Sequence, residues 1–443
     1  MMNPLVFICG RLMLTSAILI WSLVASPVSS QERILDPEPE LLDHIQEALK
    51  SNPNLEAWRS RVQAADRRIP QAGALPDPEV MIGVENLPVN SLSLSDDPMT
   101  MIMLAVQQRI PLGGKTGISD RIARKDHQAE EYAARTVENE IARRIAATWY
   151  EWSYRQEAIR TMQENIQLMD DVIQVMRRMY ETGMGNQSSI LQTQTGRSRM
   201  QDELIAMQQM AKASGRQMAV LLGRDPHEIP TAPESLHTTF PALQRLSLLA
   251  QLINANPRLQ QANVNSSAAE DHVLMARRHW IPDLEVRAGY GFRSYMSADM
   301  ESSDMIAMSI GTHLPIFGNR KQGPAVQEAE AMRRETTAMQ RSMELEHKLE
   351  LETMLDEDER LAKQIELYVS AVELQAQAAW TAVLAEYTVG KAEFEEVNMA
   401  LTAFFNARLE KSARLRDRWK VRAEIAALIN SNELVPQETE IGK

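Results

Sequence analysis

Hydrophobic and polar side chains alternate along Met99–Leu112. The even positions carry apolar or β-branched side chains, namely Thr100, Ile102, Leu104 and Val106. The odd positions include long or polar side chains, namely Met101, Met103, Gln107 and Arg109. A period of two residues is that of a β-strand, because successive side chains point to opposite faces. We therefore predict a strand over residues 99–112 with two chemically different faces.

The same alternation returns about two hundred residues later, where we predict a strand over residues 304–316. Both segments end in an apolar residue, a proline and a second apolar residue, followed by glycine and a basic side chain. Each is preceded by another alternating segment, so partner strands are predicted over residues 79–87 and 283–294. The polar face of the latter carries Glu285 and Arg287. The chain thus contains two predicted hairpins of one plan.

Each predicted hairpin leads into a proline-poor segment with helical periodicity. We predict helices over residues 116–182 and 322–388, each about 100 Å long at a rise of about 1.5 Å per residue. Apolar residues recur three and four positions apart along the first, which is typical of coiled-coil-like packing. A glycine turn should end each rod. Return helices are then predicted over residues 188–222, capped by Ser188 or Ser189, and over residues 393–430.

Other short motifs repeat with the strands and helices. Asn52-Pro53 and Leu75-Pro76-Asp77 are echoed by Asn256-Pro257 and Ile281-Pro282-Asp283. The duplication therefore covers most of the chain. The predicted organisation is a signal peptide over 1–30, a first repeat over 31–225, a linker over 226–242, a second repeat over 243–430 and a loose tail over 431–443.

The N-terminal segment has the pattern of a cleaved secretory signal. An apolar run over Leu12–Ala25 is followed by small residues before Gln31. An uncleaved N-terminal anchor is the alternative. The only cysteine, Cys9, precedes the apolar run, so we expect neither a lipidated cysteine nor a disulfide in the mature chain. Elsewhere, no segment approaches the roughly 20 apolar residues of a spanning helix.

Composition and motifs exclude several functions. The formal net charge of −13 argues against a general nucleic-acid binder, which needs a basic face. We find no glycine-rich phosphate loop, nucleophile elbow or zinc-protease helix. His272 and His279 lie two helical turns apart, too far to share a metal without a partner between them. We therefore expect no enzyme activity, no cofactor and no fixed metal site.

The four two-faced strands need a cover for their apolar faces. In water a second layer would cover them, but the chain offers no other strands and the helices have the pattern to pack on one another. In an outer membrane, lipid covers the apolar face and the polar face lines a channel. A barrel needs at least about eight strands, so the chain must associate with copies of itself. The expected lumen residues are Met101, Met103, Gln107, Arg109, Glu285 and Arg287, whereas Thr100, Ile102, Leu104 and Val106 should face lipid.

The repeated order of hairpin, long helix, glycine tip and return helix resembles the TolC family of outer-membrane efflux proteins. The resemblance covers residues 40–430 and is carried mainly by two Tyr-x-x-Gly tips and two apolar-Pro-apolar strand ends. Ala74-Leu75-Pro76-Asp77-Pro78 and Val84-Glu85-Asn86-Leu87-Pro88 are most similar to its heavy-metal branch, the CusC- and CzcC-like proteins. The resemblance implies a mainly α-helical chain with membrane β-structure, which as a homotrimer forms a twelve-stranded outer-membrane β-barrel continuous with a periplasmic α-helical barrel.

The resemblance also implies a function and partners. The protein would be the passive exit duct of a tripartite efflux system in a Gram-negative bacterium, working with a periplasmic adaptor and an inner-membrane pump of the RND type. Heavy-metal cations are the expected cargo, and a multidrug or other small-molecule duct is the alternative. A periplasmic adaptor and an elongated coiled-coil protein are more distant alternatives. The full duplication argues against the adaptor, and the two-faced hairpins argue against the coiled coil.

The resemblance assigns roles to residues at the periplasmic tip. The acidic residue that narrows the pore corresponds to Glu396, nine positions after the second tip tyrosine, and a second acidic position falls at Met399. Three copies of Glu396 near an axis would attract cations. The alternative is a solvated first helical turn placed favourably at a helix N-terminus. The tip tyrosines and glycines are Tyr180, Gly183, Tyr387 and Gly390.

Two features of this sequence depart from the family or go beyond it. The locking positions of the family fall at Ala392 and Ser189, so a closed state would need other contacts, such as Lys391 or Glu393. Methionines lie on the lumen side of the predicted strands. Thioether sulfur suits Cu(I) and Ag(I), so a soft-metal path is one interpretation, and flexible packing is the other.

Overall fold

The computed structural model describes most of the chain between the predicted signal segment and the C-terminal tail. The described residues are 34–35, 37–233, 236–293, 296–297, 300–301 and 303–435. The predicted signal peptide, residues 1–30, and the end of the predicted tail, residues 436–443, lie outside them.

Nine α-helices and six strands make up the described part of the chain. The helices are α1 (Pro39–Ser51), α2 (Pro53–Gly73), α3 (Lys115–Glu181), α4 (Gln187–Leu221), α5 (Arg245–Ala255), α6 (Pro257–Arg278), α7 (Gln322–Leu367), α8 (Glu373–Thr388) and α9 (Phe394–Leu428). The strands are β1 (Glu79–Glu85), β2 (Met101–Ile110), β3 (Leu284–Arg293), β4 (Met296–Ser297), β5 (Met300–Glu301) and β6 (Met305–Thr312).

Among the helices of the described residues, none is both long enough and apolar enough to cross a membrane.

Four strands form one antiparallel sheet in the order β1-β2-β3-β6. The first hairpin pairs Glu79 with Gln107, and the second pairs Glu285 with Gly311. The two hairpins join where β2 pairs with β3, in a register that sets Arg109 opposite Glu285. The ladders stop a few residues short of the predicted strand ends, since Pro111 and Pro315 follow β2 and β6 and proline has no N–H to donate. Strands β1 and β6 form the two outer edges.

One face of this sheet is apolar and exposed. Its side chains come from all four strands, as the alternation predicts: Val80, Ile82, Val84, Ile102, Leu104, Val106, Tyr290, Phe292, Ile306, Met308 and Ile310. Thr100 is an exception to the prediction. Its side chain is buried, and its hydroxyl donates a 2.8 Å hydrogen bond to the Asn86 carbonyl just before β2 begins. The apolar face therefore starts at Ile102.

The helices form one layer. The helices that are joined directly to β1, β2, β3 and β6 lie side by side in the same order as these strands, namely α2, α3, α6 and α7. Helix α3 has 67 residues and is about 100 Å long. It packs against α2 and α4 on one side and against α6 and α9 on the other, and α7 and α8 contact the far side of α9. The outer edges of the layer are thus α4 with α2, and α7 with α8.

Short helices stack end to end to match the length of α3. Helix α4 ends where α2 begins, and Asn52 connects them: its Oδ1 accepts from the Asn54 N–H (3.0 Å) and its Nδ2 donates to the Leu221 carbonyl (2.9 Å). Asn256 makes the same connection from α9 to α6, with Nδ2 2.7 Å from the Leu428 carbonyl oxygen. Each asparagine caps one helix and satisfies a terminal carbonyl of another. This explains the repeated Asn-Pro motif.

The long rod of the second repeat differs from its prediction. The helix predicted over residues 322–388 contains a π-helical turn at Tyr368–Val372, which separates α7 from α8. Around it, the Tyr368 hydroxyl donates to Glu410, and Lys411 binds Glu373 at 2.6 Å. A π-turn adds a residue to the helical ladder. It therefore shifts the face that α8 presents to α9.

The main core lies where α3, α7 and α9 meet the connecting segments. It contains Trp149 and Trp419, and Phe240 of the predicted linker stacks on Trp419 at 4.3 Å between ring centroids. The predicted tail also differs from the structure. Leu434 is 1% exposed, so residues 431–435 are packed instead of loose.

A buried ion pair holds four segments of this core together. The Arg422 guanidinium donates to Asp358 at 2.6 and 2.9 Å, and to the carbonyls of Ile34 and Pro241. The two charged side chains are only 2% and 8% exposed. Burial favours the neutral acid, but hydrogen bonds from Arg422 and Arg418 outweigh it, so the pKa of Asp358 lies below its ordinary value.

We expect Asp358→Asn to destabilise the protein by about 3–5 kcal/mol, because it leaves the buried Arg422 charge without its partner. The thermal unfolding midpoint of detergent-solubilised protein measures this effect. Glu359→Gln is the matched control, since Glu359 pairs with Lys363 at the surface (60% and 73% exposed) and should cost less than about 1 kcal/mol.

The same pair predicts a pH dependence. A carboxyl with a lowered folded-state pKa stabilises the fold above its ordinary pKa and loses that contribution as the pH falls through the lower, folded value. The difference in unfolding midpoint between wild type and Asp358→Asn should therefore be full at neutral pH and shrink below about pH 4. A difference that does not change between neutral and acid pH would contradict this account.

Candidate functional site

Charged side chains meet on the face of the sheet opposite the apolar one. Gln107 donates to Glu285 at 3.4 Å, and Arg287 lies 3.8 Å from the Glu85 carboxylate. Arg109 binds Asp283 at 2.7 Å at the foot of β3. The structure thus brings the four polar residues that we predicted for the lumen onto one face.

Further charged residues lie on the same face. The alternation along β1 and β3 already places Glu85 and Arg293 on the polar side, and the pairing of both strands with β2 brings them onto one face with Gln107 and Arg109. The sequence analysis did not name Glu79, although it has the same parity as Glu85 and lies on this face. The face therefore carries both signs of charge.

Methionine side chains on this face fill space over glycines. A Cβ placed on Gly291 would lie 2.5 Å from the Met101 sulfur, and one on Gly289 would lie 2.8 Å from the Met103 sulfur. Met103 is 4% exposed. These contacts favour packing over the soft-metal path for these two residues. In the described ranges, no group of three or more His, Cys, Asp or Glu side chains is arranged to hold a metal ion.

The first helical tip joins α3 to α4 through a glycine turn. Gly183 has φ 77°, and its N–H donates to the Tyr180 carbonyl at 3.0 Å while the Met184 N–H reaches the Met179 carbonyl at 2.9 Å. This is the Schellman arrangement, which favours glycine because its left-handed conformation has no Cβ penalty. The Tyr180 side chain is half exposed.

The cap of α4 differs from the prediction. Asn186 is the N-cap, and its Oδ1 accepts from the Ser189 N–H at 2.8 Å and from the Ser189 hydroxyl at 2.6 Å. Ser188 also donates its hydroxyl to Asn186. The two serines therefore support the cap and do not provide it.

The second tip repeats the backbone of the first but not its side-chain burial. Gly390 has φ 75° and donates to the Tyr387 carbonyl at 3.0 Å. The Tyr387 ring is 7% exposed and belongs to a cluster with Met176, Met179 and Val397, and burial raises the pKa of its phenol. This cluster packs the two tips together. Tyr387 is thus a core residue of the tip.

Helix α9 presents Glu396 and Met399 away from this cluster. Val397 and Leu401 are buried against the neighbouring helices, whereas Glu396 and Met399 are exposed, Met399 by 61%. Within the described residues, no ion pair involves Glu396, Lys391 or Glu393. The exposed first turn of α9 fits both a pore-facing carboxylate and a solvated helix start.

The chain is similar to known proteins in both sequence and fold. Residues 44–224 and 248–431 match the model of the family described as outer membrane efflux protein. The chain belongs to this family. The two matched segments correspond to the two repeats, so the resemblance seen in the sequence is confirmed.

Curated relatives of this outer membrane efflux protein are distant. The pyoverdine export outer membrane protein OpmQ of Pseudomonas putida is 22% identical over 387 residues, covering 82% of each chain. The nickel-cobalt-cadmium resistance protein NccC of Alcaligenes xylosoxydans xylosoxydans is also 22% identical, over 63% of this chain and 61% of its own. One of these relatives is named for the export of pyoverdine and the other for resistance to nickel, cobalt and cadmium.

Solved structures share the fold. The outer membrane protein VceC from Vibrio cholerae superposes with a TM-score of 0.75 at 19% identity, covering 88% of this efflux protein and 96% of VceC. CusC superposes with a TM-score of 0.74 at 17% identity, over 88% of this chain and 92% of its own. The predicted fold class is thereby confirmed.

We expect Gly390→Ala to destabilise the second tip by about 1–2 kcal/mol, because an L-residue is strained in the left-handed conformation. Faster hydrogen exchange of the amides at 387–397 measures this effect. Gly117→Ala is the control, since Gly117 lies in the first turn of α3 with open space around it and alanine there should not destabilise the protein. Unchanged exchange at the tip of Gly390→Ala would show that the turn is not under this constraint.

Proposed function

We propose that this protein is one subunit of a trimeric exit duct that carries substrates across the outer membrane as part of a tripartite efflux system. One observation carries the proposal: a four-stranded sheet exposes an apolar face and two unpaired edges. In water this face and these edges would promote aggregation. In a bilayer the face is solvated by lipid, and the edges must be paired.

The strand order and the helical layer are compatible with closure by copies of the same chain. The strands alternate in direction, so β6 of one copy is antiparallel to β1 of the next. The helical layer has corresponding apolar edges. The exposed apolar side chains at these two edges are Leu191, Ile205, Met210 and Val220 on α4, and Met332, Met339, Leu345, Leu349, Leu367 and Leu374 on α7 and α8.

The number of copies comes from the family resemblance. Two copies would supply eight strands, about the minimum for a membrane barrel, and three supply twelve. A homotrimer places a β-barrel of twelve strands in the outer membrane and continues it as a helical barrel in the periplasm. The periplasmic adaptor and the RND-type inner-membrane pump would assemble at the tip end, and the pump would supply the energy.

We propose heavy-metal cations as the cargo. The likeness to the nickel-cobalt-cadmium resistance protein supports this, as does an exposed carboxylate at the tip, which favours cations if it faces the axis. Small organic molecules are the second candidate, favoured by the longer match to the pyoverdine export protein.

Fractionation and sizing test the assembly. The protein should sediment with outer membranes, and its detergent extract should have the mass of three chains. Recovery as a soluble periplasmic monomer would contradict the proposed duct.

Gene deletion tests the cargo. The deletion strain should tolerate less nickel, cobalt, cadmium, zinc, copper or silver, and a plasmid copy should restore tolerance. Unchanged metal tolerance together with sensitivity to drugs would assign the duct to small organic molecules.

Pore recordings test the role of Glu396. In planar bilayers, Glu396→Gln should lower the preference for cations, because three carboxylates near the axis are neutralised together. Met399→Asp should raise it by adding a second acidic ring. Glu395→Gln is the control in the same helical turn. Equal selectivity in all variants would leave Glu396 as a solvated helix-start residue.

A further inference from the structure

A cleft lies beside the break where α9 ends at Leu428 and α6 begins at Pro257. It has a volume of about 350 Å³ and is lined by side chains of α3, α6, α7 and α9, including Asn256, which connects the two helices at the break. The cleft lies between the sheet and the tips. All of its lining belongs to one chain, so it does not depend on the association of copies.

Two polar pairs enter the cleft from corresponding positions of the two rods. Glu140 of α3 and His347 of α7 each lie forty residues before the tyrosine of their own tip. Each contacts the residue three positions further on. Arg143 donates to Glu140 at 2.8 Å, and His347 Nδ1 lies 2.9 Å from the Glu350 carboxylate. The two repeats thus place a Glu–Arg pair on one side of the cleft and a His–Glu pair on the other.

The pair on α3 is satisfied within its own helix. Arg143 donates to both carboxylate oxygens of Glu140 at 2.8 Å, and Arg144 donates a third hydrogen bond at 2.6 Å. These bonds, above all those from Arg143, hold the pKa of Glu140 at about 2. Glu140 is therefore an ion-paired carboxylate that leaves little charge for a ligand.

The pair on α7 is not satisfied. The His347 side chain is 9% exposed, and its Nε2 is buried and makes no hydrogen bond within the part of the chain that the structure describes. A neutral imidazole that donates from Nδ1 to Glu350 keeps a lone pair on Nε2. A buried polar atom without a partner is costly. The ring therefore presents an unused acceptor to the cleft.

Two further carboxylates give the cleft a negative charge. Glu424 of α9 lies 3.5 Å from Arg143, a long contact for an ion pair, and the Glu350 side chain is 45% exposed. Arg143 is already bound to Glu140, and Arg258, which also lines the cleft, is exposed. The groups left over are thus acceptors, and they suit a ligand that carries positive charge and several donors.

We propose that this cleft binds a small organic cation with a primary amine. Its ammonium group, which has three donors, is held by His347 Nε2 and by the carboxylates of Glu350 and Glu424. The bound amine ties α7 to α9 beside the break between α9 and α6. This inference goes beyond the proposed function, because it requires neither self-association nor a particular cargo.

The size of the cleft and its donor set favour an organic cation over a metal ion. A volume of about 350 Å³ lies in the range of small-molecule sites, about 300–1,000 Å³. Within the described ranges, no three His, Cys, Asp or Glu side chains are arranged to hold a metal ion. A primary amine needs acceptors and negative charge, both of which the cleft supplies.

Calorimetric titration of the detergent-purified protein with 1,4-diaminobutane tests the site. We expect one diamine to bind per chain. His347→Phe and Glu424→Gln should each weaken binding by roughly tenfold or more, because each removes a hydrogen bond that involves a charged group. Glu346→Gln is the matched control: Glu346 is exposed on the same helix and accepts from Ser342, so the affinity should stay unchanged.

The titration has outcomes that overturn the site. No heat of binding with the diamine would do so, as would equal binding by wild type and Glu424→Gln. The Glu424→Gln variant keeps the test valid even where His347→Phe does not fold, because the Glu424 side chain is 34% exposed.

Two other probes separate the ligand classes. Glutarate and Ni²⁺ alone should each bind more weakly than the diamine. Tighter binding of glutarate would overturn the cationic ligand. Binding of Ni²⁺ that is lost in His347→Phe, together with no binding of the diamine, would assign the imidazole to a metal and overturn the amine. Sizing of the same preparation reports separately on the proposed trimer.

Discussion

The antiparallel pairing of β2 with β3 is the constraint on which the rest of the structure depends. It is the point at which two hairpins, separated by about 170 residues of chain, become one sheet. The Lys115–Asp283 ion pair fixes this joint where strand turns into helix. Because α3 leaves directly from the joint and α6 enters it, the order of the strands sets the order of the helices below them.

The helical layer keeps the same order along the length of α3, although no single helix runs beside α3 for its whole length. Stacked short helices replace one long helix, and each stack depends on an asparagine that serves two helices at once. Between the stacks, the buried Arg422–Asp358 pair connects α7 and α9 to the N-terminal segment and the linker. Unpaired buried charge is costly, so these four segments are held as a unit.

The site follows from the same constraints. A sheet with one apolar and one charged face separates lipid from water, and the glycines of β3 let methionine side chains lie flat on the charged face. At the opposite end of the rods, two Schellman turns reverse the chain, and a shared cluster around Tyr387 holds the reversals together.

The sequence by itself determined the local elements and their duplication, because strand alternation, helical spacing, glycine turns and proline stops act within a few residues. It placed Gln107, Arg109, Glu285 and Arg287 on a polar face for the same reason. Only the tertiary structure decided the burial of Thr100 and of Leu434. Each depends on register or on neighbours from another segment, which periodicity does not encode. The π-turn at Tyr368–Val372 likewise has no local signal, since it arises from how α7 and α8 fit against α9.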